Sequence, residues 1–380
     1  MPLPQTTSIL RFTFVILAAL LCLGKAVPLR ADQVDEVVSA QMKERKITGL
    51  SLAIIDDGKI VKQQGYGFTD KGGRRPVTAF TLFQAGSVSK PVAALGALHL
   101  VDRGLLSLDE DVNTKLRTWI VPQNKYTDSR KVTLRLILSH TAGMTVHGFP
   151  GYALGEPIPT LTQMLNGEKP ANNSAIRVNE IPGSKWRYSG GGYLVLQQML
   201  LDVTGKPFAR FMDEAVLKSL GMASSTYSQP LPDDMAEKAA KGYGAIFGWS
   251  VNGESHVYPE MAAAGLWTTA GDLARFAIGI QNAVAGQSNP VISQSLTRQM
   301  LTSQKNNVAL GLFLTGSGRT LRFGHDGATA GFDAAMSAYA YMGKGAVVMI
   351  NKNDSGDAVN RILGAIAQQY HWPDYDIPKQ

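Results

Sequence analysis

The alternation of apolar and polar positions predicts β-strands near both ends of the chain. Residues 50–55 and 60–67 are rich in β-strand formers and flank Asp56-Asp57-Gly58, a pattern typical of a β-hairpin. Near the other end, glycine-bearing turns separate four more apolar runs, at 308–314, 319–323, 332–341 and 346–351. We therefore expect one sheet that both ends of the chain build together.

The region between these strands shows helical spacing instead. Val92, Leu95, Leu98 and Val101 recur at helical intervals with almost no polar face, which predicts a buried helix that ends at Gly104. Thr269 is a candidate cap for a later helix. Further helices are predicted at 133–139, 192–203, 208–220, 272–283 and 359–370.

This order of elements predicts an α/β (α+β) fold in a single domain over 32–375. A sheet lobe is expected to comprise residues 32–104 and 265–375, with a mainly helical insertion over 105–264 between them. No period of 20 to 50 residues repeats along the chain. We therefore do not expect a solenoid or a propeller.

The first 31 residues have the pattern of an export signal. Arg11 precedes the apolar stretch 12–23, and small residues follow at Gly24, Ala26 and Ala31. The apolar stretch is short for a permanent membrane helix. We predict cleavage after Ala26 or Ala31 and a periplasmic or secreted bacterial protein, with an uncleaved anchor as the alternative.

Composition narrows the function classes further. The 380 residues are 44% hydrophobic and 18% charged, which suits a globular domain with a large core. Removing Arg11, Lys25 and Arg30 with the leader leaves 34 basic and 30 acidic residues, about +4, so nucleic acid is not an expected partner. The only cysteine, Cys22, lies in this leader, where lipid attachment is disfavoured by the large Leu21 before it. Without a cysteine cluster or His-Glu-x-x-His, no metal or cofactor is expected.

One segment pairs a candidate nucleophile with a candidate base. Ser87 and Lys90 are three positions apart at the start of the apolar helix, so on a helix the amine would face the hydroxyl. Desolvation and the helix N-terminus both lower the pKa of a lysine, which could then activate the serine. The backbone N–H of Ser87 could face a developing oxyanion. Such a pair also arises by chance in a chain of this composition, so it does not decide the function alone.

Two more segments carry candidate chemistry. Tyr188 precedes three consecutive glycines at a predicted helix start, and its phenol could act as a base or proton relay beside Lys90. His325 lies in Gly-His-Asp-Gly-Ala between two predicted strands, where it could donate to a substrate and add positive charge below pH ~6.5. Taken separately, the first segment is also typical of a structural turn and the second of a surface histidine.

In this order and spacing, the three segments resemble the serine β-lactamase and penicillin-binding protein superfamily, which uses Ser-x-x-Lys, Tyr-x-Asn and Lys-Thr-Gly or His-x-Gly. The similarity extends to the segments 136–144 and 265–269 and covers about residues 33–370. It is strongest for the class C-like branch, which includes class C β-lactamases, D-alanyl-D-alanine carboxypeptidases, D-aminopeptidases and family VIII-type carboxylesterases. The resemblance implies a β-lactamase/transpeptidase-like fold, an antiparallel sheet flanked by helices with an inserted helical subdomain.

The resemblance also implies roles for individual residues. Ser87 would attack the substrate carbonyl while Lys90 and Tyr188 shuttle its proton, and the phenol would then serve the leaving group and the attacking water. The backbone N–H groups of Ser87 and Ala328 would form the oxyanion hole. The remaining substrate-binding positions implied are His325, Gly327 and Gly190.

The chain departs from the family pattern at two of these positions. Gly190 stands where the family usually has the asparagine that hydrogen-bonds the substrate side-chain amide, which argues against an efficient β-lactamase. His325 replaces a lysine, so a substrate carboxylate would meet a largely neutral imidazole, with Asp326 beside it. These departures favour substrates without a free carboxylate at that subsite, such as esters or N-terminal D-amino acyl peptides.

We therefore predict a serine hydrolase that acts through an acyl-enzyme on small ester, lactam or peptide substrates, with no stable membrane span after signal removal. The alternatives are a β-lactamase or D-alanyl-D-alanine carboxypeptidase, an acyltransferase, and a non-catalytic binder of cell-wall peptide or penicillin. Three histidines are not given catalytic roles: His140 is expected to make a structural hydrogen bond, and His99 to be a core residue. For His147 we expect a structural place, with the pocket wall as the less favoured alternative.

Overall fold

A computed structural model describes residues 1–2, 32–287 and 289–375 of the chain. The chain divides into Met1–Asp32 and Gln33–Gln380, and the elements described here belong to the second unit. The apolar stretch of the predicted export signal, its cleavage sites and Cys22 lie outside the described residues. Within the described residues, no helix combines the length and the apolar character needed to cross a bilayer.

In the part of the chain that the structure describes, ten strands form one large sheet and two small ones. The large sheet has six antiparallel strands in the order β2-β1-β10-β9-β8-β7, while β3 pairs with β6 and β4 pairs with β5. The strands are β1 Gly49–Asp56, β2 Lys59–Gly67, β3 Phe83–Gln84, β4 Gly242–Ile246, β5 Trp249–Glu254, β6 Trp267–Thr268, β7 Phe313–Thr315, β8 Arg322–Thr329, β9 Phe332–Tyr339 and β10 Gly345–Ile350.

The α-helices of the described residues flank this sheet or fill the stretch between its two halves. They are α1 Gln33–Glu44, α2 Ser89–Asp102, α3 Lys125–Ser129, α4 Leu134–Leu138, α5 Leu161–Asn166, α6 Gly190–Thr204, α7 Phe208–Met212, α8 Asp233–Ala236, α9 Met261–Ala264, α10 Ala270–Val284, α11 Gln294–Met300 and α12 Asp357–Gln369.

The antiparallel sheet flanked by helices confirms the predicted fold class. β1 is the strand next to the β2 edge of the sheet, and its other neighbour is β10, from the far end of the chain. Side chains on one face of β1 belong to an apolar cluster with α1 and α12, and those on the other face pack against α10. A strand covered on both faces is apolar at successive positions, as residues 50–55 are. The predicted lobe boundaries remain a prediction.

The structure corrects the prediction for the segment around His325. We expected this residue between two strands, but it lies inside β8, which runs from Arg322 to Thr329. His325 is opposite Met336 of β9, and the pairing continues beyond Gly327. The glycines that indicated a turn are accommodated within the strand because other backbone segments approach them closely.

Other differences concern element boundaries and one missed hairpin. The helix predicted over 208–220 divides into α7 and a π-helical turn at Asp213–Leu217. The strand predicted over 319–323 begins instead with a 3₁₀ turn at Gly318–Thr320. The hairpin β4–β5, in the stretch predicted to be loops and helices, was not anticipated.

Candidate active site

Ser87 lies in a 3₁₀ turn, Gly86–Val88, that leads directly into α2. Strand β8 packs against this turn so closely that neither contact glycine has room for a side chain. A Cβ on Gly327 would lie 2.0 Å from the Ala85 carbonyl oxygen and 2.9 Å from the Ser87 nitrogen. A Cβ on Gly86, which has φ of 52°, would lie 2.5 Å from the Ala328 nitrogen. The backbone nitrogens of Ser87 and Ala328 therefore border the same small region.

Lys90 lies one turn further along α2, and its side chain points back to the serine. Its Nζ is 2.9 Å from Ser87 Oγ and 2.8 Å from the carbonyl oxygen of Ala263 in α9. The side chain is buried, and burial lowers the pKa of Lys90 from 10.5 to about 7. A large fraction of the amine is therefore unprotonated at neutral pH and can accept a proton from Ser87.

Tyr188 immediately precedes Ser189, the N-cap of α6, and its side chain extends to the same serine. Its hydroxyl interacts with the Ser87 side chain, and its ring centroid is 5.0 Å from Lys90 Nζ. Burial raises the pKa of Tyr188 well above its usual value, an effect that the hydrogen bond with Ser87 only partly offsets. The phenol is therefore neutral at pH 7. It can donate a proton, but it is not present as a phenolate base.

Two of the histidines not given catalytic roles contact this tyrosine. The ring of His140 lies 4.3 Å from that of Tyr188, and its Nδ1 accepts a hydrogen bond of 3.2 Å from the Ser189 N–H. Burial, with the nearby Lys90 charge, holds the pKa of His140 well below its usual value. The ring of His147 lies 4.9 Å from Tyr188 and forms part of the cavity wall. His140 therefore orients the start of α6, as a structural residue does.

His325 is buried beside this group and is held in one tautomer. Its Nδ1 is 2.6 Å from the carbonyl oxygen of Asp326, which can only accept, so Nδ1 carries the proton. Its buried Nε2 has no hydrogen-bond partner among the described residues. Burial, followed by the charge on Lys90, lowers the pKa of His325 to about 3. The imidazole is therefore neutral down to about pH 3, and not only above the ordinary pKa near 6.5.

A cavity of about 290 Å³ opens onto Ser87. Besides Ser87, Lys90 and Tyr188, the residues that line it include His147, Phe149, Ile246, Phe247, Phe313 and His325. Among the described residues that line it, Lys90 is the only lysine or arginine. The cavity therefore combines an apolar, largely aromatic wall with one amine whose charge is suppressed by burial.

Gly190 lies behind this wall. A Cβ on Gly190 would be 2.8 Å from Phe149 Cε2 and 3.0 Å from the carbonyl oxygen of His147. The ring of Phe149 therefore fills the space that a side chain at position 190 would need. Sequence reasoning missed the aromatic wall because its members are single residues in separate loops and strands, without a periodic pattern or a shared motif. The unusual Phe247-Gly248 pair, at a hairpin tip, is the one local signal.

Comparison with known proteins supplies the family. The family model described as Beta-lactamase matches residues 34–370, almost the whole described domain. The chain belongs to the beta-lactamase family. This membership, together with the fold, confirms the resemblance that the ordered motifs indicated.

Individual relatives of this beta-lactamase-family chain carry different names. Esterase EstB of Burkholderia gladioli is 29% identical over 218 residues, and the match covers 54% of each chain, so the alignment spans about half the length of that relative. The octameric penicillin-binding protein homologue from Pyrococcus abyssi superposes with a TM-score of 0.70 at 22% identity, covering 91% of this chain and 79% of that one. A class C beta-lactamase gives a TM-score of 0.66 at 23% identity, with coverages of 89% and 95%. The two structures show the shared fold.

Proposed function

We propose that this protein is a serine hydrolase that cleaves esters through an acyl-enzyme on Ser87. The observation that carries the proposal is the 2.9 Å contact between Lys90 Nζ and Ser87 Oγ, made by an amine whose pKa burial lowers to about 7. A serine hydroxyl attacks a carbonyl only when a nearby base takes its proton, and a half-neutral amine in contact with it is suited to that task. The esterase name of a relative adds support.

In the proposed first step, Lys90 Nζ takes the Ser87 proton as Oγ bonds to the substrate carbonyl carbon. The negative charge that develops on the carbonyl oxygen is stabilised by the backbone N–H groups of Ser87 and Ala328. The tetrahedral intermediate then expels the alcohol, whose oxygen receives a proton from the Tyr188 hydroxyl, and Lys90 returns a proton to that phenolate. The products of this step are an ester on Ser87 and a free alcohol.

Deacylation reverses the same transfers with water in place of the alcohol. The neutral amine of Lys90, acting through Tyr188, accepts a proton from water as its oxygen attacks the acyl carbon. The Ser87 oxygen leaves and regains that proton, which restores the free enzyme and releases a carboxylic acid. An acceptor alcohol or amine in place of water would make the same site an acyltransferase.

The cavity supports neutral substrates over carboxylate-bearing ones. Lys90 is the only lysine or arginine among its described lining residues, and the imidazole of His325 is neutral at pH 7. Asp326, exposed at the edge of the cavity, would repel a substrate carboxylate. Penicillins and peptides that end in D-alanine both carry a carboxylate, so the β-lactamase and carboxypeptidase alternatives are less well supported.

Covalent labelling and turnover test the proposal. We expect a fluorescent fluorophosphonate to label the wild type and the variant Ser184→Ala, whose serine is exposed on the surface. Ser87→Ala should lose both the label and the hydrolysis of p-nitrophenyl acetate by at least about 10³-fold. Equal labelling of Ser87→Ala and wild type, or binding of penicillin that is independent of Ser87 without any turnover, would favour the non-catalytic binder.

We also propose that the protein is exported, on the evidence of the signal-like pattern in residues 1–31. Mass determination of the chain recovered from the periplasm and the medium of an expressing bacterium tests this. Recovery of the uncleaved chain from the cytoplasm alone would contradict it.

A further inference from the structure

The tip of the β4–β5 hairpin lies at the mouth of the cavity. Ile246 and Trp249 pair across the hairpin, which leaves Phe247 and Gly248 as the two residues of the turn. Phe247 lines the cavity together with Phe149, and a Cβ on Gly148 would lie 2.9 Å from its Cζ. Phe247 is still 57% exposed to solvent. One side of its ring therefore faces the cavity and the other faces solvent.

The backbone at this tip is unfavourable for a phenylalanine. Phe247 has φ of 52° and Gly248 has φ of 82°, the left-handed region at both central positions of a two-residue hairpin turn. Such turns strongly favour Asn-Gly or Asp-Gly, because a bulky side chain is strained there. The β1–β2 turn of the same protein follows that preference, with Asp57 at φ of 50° and Gly58 at φ of 69°. A strained aromatic residue in the wall of the cavity that contains Ser87 is therefore a candidate for a functional role.

We propose that Phe247 is a specificity-determining residue that packs, with Phe149 and Ile246, against an apolar substituent of the ester substrate. This inference rests on the proposed ester hydrolysis and adds the substrate class: neutral esters with an acyl or alcohol group longer than acetyl or methyl. The cavity favours such substrates because its described lining offers aromatic and aliphatic contact and no permanently charged cation. Burying one additional methylene improves transition-state binding by about fourfold when it is fully enclosed.

Two matched series of substrates measure the contribution of Phe247. One series keeps the p-nitrophenyl leaving group and lengthens the acyl chain from acetyl to octanoyl, and the other keeps the acetyl group and lengthens the alcohol. We expect wild-type kcat/KM to rise by about two- to fourfold per methylene over the first few carbons of at least one series. We call the increase in log kcat/KM per added methylene the chain-length slope. In Phe247→Asn this slope should be smaller, so that kcat/KM for the six-carbon substrate falls by about tenfold more than kcat/KM for the shortest one, mainly through a higher KM.

Three further variants keep the result interpretable. Asn is preferred at this position of the turn, so the melting temperature of Phe247→Asn should equal or exceed that of the wild type. Trp249→Ala removes a second exposed aromatic residue from the same hairpin, but one outside the described lining of the cavity, and should retain the wild-type slope. Phe247→Tyr keeps an aromatic ring and should have the wild-type chain-length slope. The third additional variant, Ser87→Ala, tests the proposed function.

The outcomes separate the two proposals. Undiminished hydrolysis by Ser87→Ala would overturn the proposed function, and this inference with it. Hydrolysis that depends on Ser87, with the same chain-length slopes in Phe247→Asn and in the wild type, would overturn the inference alone. The inference also fails if Trp249→Ala flattens the slope as much as Phe247→Asn does, because the effect would then belong to the hairpin and not to the ring.

Discussion

Replacing Lys90 with methionine should make the folded protein more stable while abolishing its activity. Burial lowers the pKa of Lys90 from 10.5 to about 7, so at pH 7 the protonated amine is much less favourable in the folded state than in the unfolded chain. A pKa difference of this size corresponds to about 4 kcal/mol of lost stability at pH 7. Methionine has a similar length and no charge, so the variant does not carry this cost.

The variant also loses two favourable contacts. Nζ of Lys90 is 2.9 Å from Ser87 Oγ and 2.8 Å from the Ala263 carbonyl oxygen, and losing each hydrogen bond costs about 1 kcal/mol. The net expectation at pH 7 is therefore a stabilisation of about 2 kcal/mol. Turnover of the ester should fall by at least about 10³-fold in the same variant, because Ser87 loses its base.

The sign of the pH dependence gives the sharper test. Because the folded-state pKa is the lower one, the unfolded chain binds more protons between pH 7 and about 10.5, and wild-type stability rises with pH over that window relative to Lys90→Met. The difference should therefore change from about 2 kcal/mol in favour of the variant at pH 7 to about 1 kcal/mol in favour of the wild type at pH 10. Urea unfolding at both pH values measures it. The exposed Lys59→Met is the control, with an expected change within about 0.5 kcal/mol at each pH.

Two results would refute this reasoning. The first is a variant less stable than the wild type at pH 7, which would mean that the amine is held by more favourable contacts than the structure contains. The second is a difference in unfolding free energy that stays constant between pH 7 and pH 10. Lys90 would then have the same pKa in the folded and unfolded states, and its proposed role as a neutral base at pH 7 would also fail.

Three further predictions concern the same site. The rate of acylation, measured as kcat/KM for p-nitrophenyl acetate, should rise with pH through about 7 as Lys90 loses its proton, and a profile flat from pH 5 to 9 would count against that role. Gly190→Asn should not create activity on nitrocefin and should lower the melting temperature, because its Cβ would be 2.8 Å from Phe149; Phe149→Ala should therefore lower the melting temperature by less in Gly190→Asn than in the wild type. Gly327→Ala should lower stability by about 3 kcal/mol or more, because its Cβ would be 2.0 Å from the Ala85 carbonyl oxygen; wild-type melting and turnover would contradict the close packing of β8 on the serine turn.

The sequence alone predicted those features that are set by residues close together in the chain. Ser87 and Lys90 are three residues apart, and the helical repeat alone brings two such side chains to one face. The hairpin β1–β2 follows from two apolar runs around Asp57-Gly58, whose conformational preferences suit a two-residue turn. The strands at both ends of the chain likewise predicted a shared sheet, because each needs partners to satisfy its backbone.

The tertiary structure decided everything that depends on contacts between distant segments. Tyr188 is about a hundred residues from Ser87 in the chain, and only the packing of α6 against α2 and α9 brings its hydroxyl to the serine. The pKa directions of Lys90 and His325 come from burial, which no spacing of residues encodes. The position of His325 within β8 follows from its pairing with β9, which outweighed the local turn signal of the neighbouring glycines. Which loop residues wall the cavity is likewise a property of the folded chain, because solvent exclusion is set by the whole packing around a group and not by its neighbours in sequence.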